Sequence, residues 1–474
     1  MSRPIVRLYV VFALLFGVLA GFTSYWSVWD AEDLNDNPRN ARSIIAEARI
    51  KRGTIRAADG TVLARSVRAR GGTYRRSYPR PDLFPHEVGY SFLTRGRAGL
   101  EQFYNDDLAG RKGEFTSLVE QLEGRRREGE DLRTTLDARA QQVALEALGG
   151  RNGSVVAMEP STGEVKVMAS VPGYDPNDID QQTTFQRLLG ASDDPLVNRA
   201  TASSYPPGST FKVVTAAAAL DSGKFTPDSV VDGSNGKDFG GVPLNNFGGQ
   251  DYGPVDLTTA LTNSINTVWA QVGTSLGKDT MGEYMRRFGF YKDPALDLPR
   301  NERRASGEYF EGKLLKPDSD RIDVARMAIG QDKLAVTPLQ MAIVAATVAN
   351  GGVLVRPHIG DRFIDADGRT TKKIAGRSGG RVMSKEAAGQ LGQMMANVVR
   401  EGSGTAAALE GVEVAGKTGT AEIDPAADIN QPWFIGFAPL DNPRIAIAVT
   451  IERSDGTGGE VAAPVAKKVL EALT

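Results

Sequence analysis

The uncharged stretch from Leu8 to Trp29 constrains the chain most, because it holds the continuous apolar run Val10 to Ala20. As a helix rising ~1.5 Å per residue, it is long enough to cross a hydrocarbon layer of ~30 Å. Arg3 and Arg7 stand before it, and Asp30, Glu32 and Asp33 stand after it. That asymmetry favours an inside N-terminus, and Tyr25, Trp26 and Trp29 suit the outer interface. A cleaved secretory signal is the rival, but no small-x-small site stands at the end of the run. A buried core helix fits an otherwise polar N-terminal region badly. The expectation is a single-pass anchor over residues 1–29 in the cell membrane, with the rest of the chain extracytoplasmic.

The 474 residues are 41% hydrophobic and 24% charged, enough for about three globular domains. The net charge of -2 favours no class of partner. With no cysteine and only two histidines, His86 and His358, far apart, a zinc site and a cysteine nucleophile are excluded and no disulfide is available. Neither a metal nor another cofactor is expected. Chemistry must run on Ser, Lys, Asp, Glu, Tyr or backbone.

From Arg39 to Arg80 the chain is basic, with Arg52, Arg65, Arg68, Arg70, Arg75 and Arg76 opposed by few acids. It reads as a solvated face of a small β-rich module, or as a surface for anionic lipid or wall polymer. Nucleic acid is not a partner outside the cell. Arg52 to Ile55, then Asp59-Gly60, then Thr61 to Ala64 reads as strand, turn, strand. Residues 111–131 are charge-rich and should form an exposed connection. Thr134 to Asp137 leads into an amphipathic helix through Ala140, Val143, Ala144 and Ala147, which places a domain boundary near 136, dividing 30–136 from 137–474.

In the second domain, Ser154–Glu159 and Glu164–Ala169 read as a hairpin around Pro160 to Gly163. Residues 172–198 read as surface loop with a short helix, and 228–254, rich in Gly, Asn and Asp, as an irregular loop. Thr337-Pro338 opens a helix ending at Gly351-Gly352. Residues 433–439 and 444–451 are strand patterns, and 462–473 a closing amphipathic helix. These strands imply an antiparallel sheet flanked by helices, an α+β fold.

Tyr205-Pro206-Pro207-Gly208 bars any earlier start for the apolar run Val213 to Leu220, so a helix should begin at or just after Ser209. Lys212, three residues on, would lie on the same face one turn away. A serine hydroxyl is a nucleophile only when a base removes its proton, and lysine is such a base only if its pKa is depressed. Taken alone, the pair is equally a capping serine and a surface lysine. Ser234 with Lys237 and Ser275 with Lys278 have the same spacing, but the first lies in a turn sequence and the second encloses Gly277. Two further motifs decide between the readings. Ser264-Ile265-Asn266 lies in a helical pattern running from an Asp256 cap to Trp269, and Lys417-Thr418-Gly419 lies in a strand pattern from Val412 to Ala421.

Three motifs in this order resemble the penicillin-recognising serine transferases and hydrolases. The set is most similar to a class B penicillin-binding protein, a monofunctional peptidoglycan D,D-transpeptidase, of the short penicillin-binding protein A type. Arg52-Gly53-Thr54-Ile55, with Gly99-Leu100-Glu101-Gln102, resembles that class's N-terminal non-catalytic module, dimerisation- or pedestal-like. Residues 30–136 are too short for the glycosyltransferase domain of class A relatives. Ile329-Gly330-Gln331 also matches, except that the usual next glycine is Asp332 here.

The resemblance implies a penicillin-binding transpeptidase, or serine β-lactamase-like, fold. It also implies that Ser209 attacks the penultimate D-alanine of a peptidoglycan stem peptide. Lys212, kept neutral by Lys417, takes the proton, Ser264 relays it, and Asn266 bonds Lys212 and substrate. The oxyanion hole would be the N–H groups of Ser209 and Thr420, with Thr418 and Thr420 hydroxyls on the substrate carboxylate and Gly419 admitting its backbone. β-Lactam antibiotics should acylate Ser209, and proteins of the wall-synthesis machinery are expected partners. A D,D-carboxypeptidase, a penicillin sensor or scaffold without turnover, and a β-lactamase are the rivals. The last lacks a deacylating carboxylate at a telling spacing.

Overall fold

The computed structural model describes residues 3–25, 47–110, 128–424, 426–427 and 429–474. The chain divides into two units, residues 1–51 with 66–75, and residues 52–65 with 76–474. The first carries the helix Arg3–Ser24, fully exposed and long and apolar enough to cross a membrane. It begins earlier than the uncharged stretch and includes both arginines. Trp26, Trp29, the acids beyond them and most of the 111–131 connection lie outside the described residues.

In the second unit the expected hairpin is present as Gly153–Met158 and Val165–Val171. It completes a five-stranded antiparallel sheet in the order Ala415–Asp424, Ile429–Ala438, Ile445–Ile451, Gly153–Met158, Val165–Val171. Side chains alternate across a strand, so each strand feeds two cores. Ile445, Ile447 and Val449 pack in one cluster with Val155 and Ala157, under the helices Ala138–Leu148 and Ala463–Leu473. Ala446 and Ala448 point the other way, into the larger cluster with Trp433 and Ile435, against the helix Pro338–Ala349. Small alanines on that face let the helix, itself alanine-rich and buried, sit close. One edge of the sheet is Ala415–Asp424, the strand that carries Lys417.

A second sheet runs Thr370–Lys373, Gly360–Ile364, Asp131–Thr134, Ile55–Arg56 and on to Val62–Arg68. It therefore joins strands from before residue 136 to strands from after 359. Tyr104 and Asp297 reinforce the join: the phenol donates to Asp297 Oδ2 at 2.8 Å, and that carboxylate accepts from the Ile359 and Gly360 amides. The arginine-rich segment is not uniformly solvated. Arg65, Arg68, Arg70 and Arg75 are exposed, but Arg52 and Arg76 are buried on the fully buried Glu101, with Arg52 Nη2 2.8 Å from Oε2. The two segments that carried the resemblance of this module thus meet in one buried ion cluster.

Candidate active site

The α-helix expected at Ser209 begins at Lys212 (Lys212–Asp221), and Ser209 lies in the tighter 3₁₀ turn Gly208–Phe211. The approach to it is pinned. Tyr205 exchanges backbone hydrogen bonds with Val336 at 2.9 and 2.8 Å, the Trp433 indole donates to Pro206 O, and Gly208 N donates to Gly330 O. Gly208 is left-handed at φ 52°, and a Cβ there would stand 3.1 Å from Ala421 N. Glycine is required both for the turn and for its contact with the edge strand.

Ser264 and Asn266 also depart from expectation. In place of one helix there are two, Leu257–Thr262, capped by Asp256, and Asn266–Arg287. Ser264 stands between them at φ 57°. The break exposes the Ser264 carbonyl, which an unbroken helix would use internally, and that carbonyl faces Lys212. The third motif is where the pattern placed it, in the strand Ala415–Asp424.

These segments converge. Lys212 Nζ lies 3.0 Å from Ser209 Oγ, 2.6 Å from Asn266 Oδ1, 2.7 Å from Ser264 O and 3.2 Å from Ser264 Oγ. Lys417 Nζ donates to Ser264 Oγ at 2.9 Å and to Thr418 O at 3.0 Å. Both lysines are fully buried. Burial, and secondarily the charge of Lys417, holds Lys212 well below the ordinary lysine range. Burial lowers Lys417 to about 7. A neutral lysine has two N–H donors and one lone pair. Asn266 Oδ1 and the Ser264 carbonyl, which can only accept, take the two donors, and the lone pair is left for the Ser209 hydroxyl.

Above this floor opens a cleft of about 360 Å³ whose lining includes Ser209, Asn245, Asn266, Thr418, Thr420 and Glu422. Gly419 is bare for an internal reason as well, since a Cβ would stand 2.7 Å from Pro207 O and 3.0 Å from Thr210 Cγ2. That close approach sets the Thr420 backbone against the Ser209 turn.

Several cleft residues carry no motif. Asn245 O accepts from Asn266 Nδ2 at 2.9 Å, fixing that amide so its oxygen faces Lys212. Buried Asn246 accepts from Thr267 N at 3.0 Å and donates to Gly233 O, tying the 228–254 segment to the second helix. That segment, expected as irregular loop, contains the short strands Val230–Asp232, Lys237–Phe239 and Val242–Leu244. Ser403 Oγ lies 2.5 Å from Thr418 Oγ1, and Gly458 N donates to Thr420 Oγ1 at 3.1 Å. Both strand hydroxyls are thereby oriented. The two look-alike pairs are elsewhere: Lys237 pairs with Asp232, and Lys278 with Asp320. Among the described residues no group of His, Asp and Glu could hold a metal ion.

The profile of the penicillin binding protein transpeptidase domain matches residues 153–471, and that of the penicillin binding protein A dimerisation domain matches 52–132. Peptidoglycan D,D-transpeptidase PbpA of Mycolicibacterium smegmatis is 34% identical, the match covering 100% of this chain and 99% of that protein. The solved penicillin-binding protein A of M. tuberculosis, as its ceftriaxone acyl-enzyme complex, superposes with TM-score 0.81 at 32% identity, covering 90% of this chain and 99% of that one. The D,D-transpeptidase domain of a peptidoglycan glycosyltransferase from Eggerthella lenta gives 0.79 at 35% identity, covering 90% and 98%.

Proposed function

The chain belongs to the penicillin-binding protein transpeptidases, of the penicillin-binding protein A type, and from that premise we infer how its cleft carries out peptidoglycan D,D-transpeptidation. The protein is a serine acyl transferase that cross-links stem peptides and is acylated by β-lactams.

Lys212 takes the Ser209 proton as Oγ bonds to the carbonyl carbon of the penultimate D-alanine. The oxyanion is held by the N–H groups of Ser209 and Thr420, each such donor supplying ~3 kcal/mol at the transition state. The peptide bond then breaks, and the proton on Lys212 passes through the Ser264 hydroxyl to the departing D-alanine nitrogen. A stem-peptide amine attacks the acyl-enzyme, gives its proton to Lys212, and Ser209 recovers its own. Lys417 and the Thr418 and Thr420 hydroxyls hold the substrate's terminal carboxylate, and Asn266 orients Lys212 and the substrate amide.

One observation carries this assignment. Of the two hydroxyls beside Lys212 that line the cleft, Ser209 Oγ is the nearer at 3.0 Å, while Ser264 Oγ stands at 3.2 Å and already accepts from Lys417.

Residues 1–29 serve as a single-pass anchor, 30–136 as a non-catalytic module and 137–474 as the transpeptidase domain, with the cleft outside the cytoplasm. Proteins of the wall-synthesis machinery are the partners such a module would meet.

The test uses the full chain in detergent with labelled penicillin, then with a D-alanyl-D-alanine thioester and a D-amino acid acceptor. A stable adduct absent in Ser209→Ala, with transfer exceeding hydrolysis, is the expected result. Hydrolysis without transfer would make it a carboxypeptidase, and rapid penicillin turnover a β-lactamase.

A further inference from the structure

The edge strand Ala415–Asp424 has charge at three points, the buried Lys417, Glu422 five residues on, and Asp424 at its end. Glu422 lines the same cleft as Ser209, Thr418 and Thr420, and among the described lining residues it is the only formally charged side chain. Its side chain is exposed, and among the described residues its carboxylate has no hydrogen bond or ion pair. The strand's pairing register shifts between Glu422 and Asp424. A bulge ends regular pairing and re-aims side chains, so the carboxylate stands at the point where the edge turns away.

Its position along the strand has a chemical meaning that rests on the transpeptidase reading. In that reading the donor's terminal carboxylate lies at Thr418 and Thr420, and its scissile carbonyl at the Thr420 amide. Moving from carboxylate to carbonyl is therefore moving from Thr418 toward Glu422. Thr418, Thr420 and Glu422 alternate onto one face, about 6.8 Å apart in steps of two. A peptide laid along a free sheet edge keeps the same rise per residue. The residue preceding D-alanyl-D-alanine then stands one rise, about 3.4 Å, beyond the Thr420 level, and a long side chain on it spans the further rise to Glu422. The substrate's carboxylate thus ends above the buried Lys417, and the cleft lining is anionic upstream at Glu422.

We propose that Glu422 selects donor stem peptides in which the residue before D-alanyl-D-alanine carries a free side-chain ammonium, that is, a diamino acid. It acts by pairing with that ammonium at the rim and takes no part in bond making.

The experiment uses the full chain in detergent and two thioester donors that differ only in whether that side-chain amine is free or acetylated. For the wild type, KM should be about fivefold lower with the free amine, as an exposed ion pair allows, with kcat little changed. In Glu422→Gln the preference should fall to near one, Glu422→Asp should keep part of it, and Glu422→Lys should prefer a succinylated donor. Equal preference in the wild type and Glu422→Gln overturns the proposal. So does a change confined to the transfer-to-hydrolysis ratio as the acceptor is varied, which would assign Glu422 to the acceptor's amine. Labelled penicillin on wild type and Ser209→Ala tests the underlying reading separately, so the two failures are distinguishable.

Discussion

Lys417 donates to the Ser264 hydroxyl at 2.9 Å, and the same hydroxyl lies 3.2 Å from Lys212. One oxygen thus separates two buried lysine amines that would repel if both were charged. The bridge lets Lys417 influence the protonation of Lys212 while remaining outside its coordination.

Lys212→Ala should lose acylation by labelled penicillin by about 10²–10⁴-fold, the range of a removed general base. Its melting temperature should change little, because truncation removes a costly buried amine together with its hydrogen bonds. Near-normal acylation in this variant would show that the proton acceptor is another group.

The pH profile follows from the same pair. Acylation needs neutral Lys212, so it fails on the acid side, where Lys212 gains a proton. Burial lowers Lys212 most, and the Lys417 charge lowers it further. Lys417, pushed to about 7, carries that charge fully at pH 5–6. Lys417→Met leaves burial acting alone, so the Lys212 pKa rises and the acid limb should move about one unit toward higher pH. An unmoved limb in the penicillin acylation profile would remove Lys417 as the cause.

The periodicity of hydrophobic residues sufficed for the five-stranded sheet, since Ile445 to Ile451 and Trp433 to Ala438 are strands on apolar content alone. Ser209, Lys212 and Lys417 were legible because their motifs stand in one order with Ser264-Ile265-Asn266 between them, the spacing of any one pair being too common to single it out. The break at Ser264 was not. Leu257, Ala260, Leu261, Ile265 and Trp269 keep helical period straight through it, and only the tertiary demand of Lys212 for a carbonyl distinguishes two helices from one. Asn245, Asn246 and Ser403 stayed hidden for a related reason: they act through contacts with residues 15 to 21 positions away, which no local pattern encodes.

Glu87 supplies a stability prediction away from the cleft. It is buried, accepts from Asn198 Nδ2 at 3.1 Å, and burial raises its carboxyl to about 8 from an ordinary 4.5. Its folded pKa lies above its unfolded one, so between those values the folded chain holds the extra proton. This contribution is complete below pH 4.5 and is lost as pH rises through 8, with a slope of about 1.4 kcal/mol per pH unit. Glu87→Gln should therefore gain melting temperature over the wild type progressively from pH 5 to pH 8, and little at pH 4. A constant difference across that range would mean that Glu87 titrates normally.

Asp332 stands at φ 65°, two residues after Gly330, whose carbonyl holds Gly208, and one after Gln331, which lines the cleft. Left-handed backbone costs an ordinary L-residue ~1–2 kcal/mol, and less for aspartate, whose short polar side chain tolerates it. The carboxylate also pairs with Lys333 at 2.6 Å, a partly exposed contact of small value. Asp332→Gly removes the steric cost but adds ~0.4–1 kcal/mol of unfolded-state entropy, so its stability should fall within ~1 kcal/mol of the wild type. Asp332→Ala has neither compensation and should be the least stable of the three by about 1 kcal/mol. Because the turn it strains abuts Gly208, its acylation rate should fall as well. Thermal melts and penicillin acylation of the three proteins check this, and alanine matching glycine in both would show that the turn relaxes to ordinary backbone at no cost.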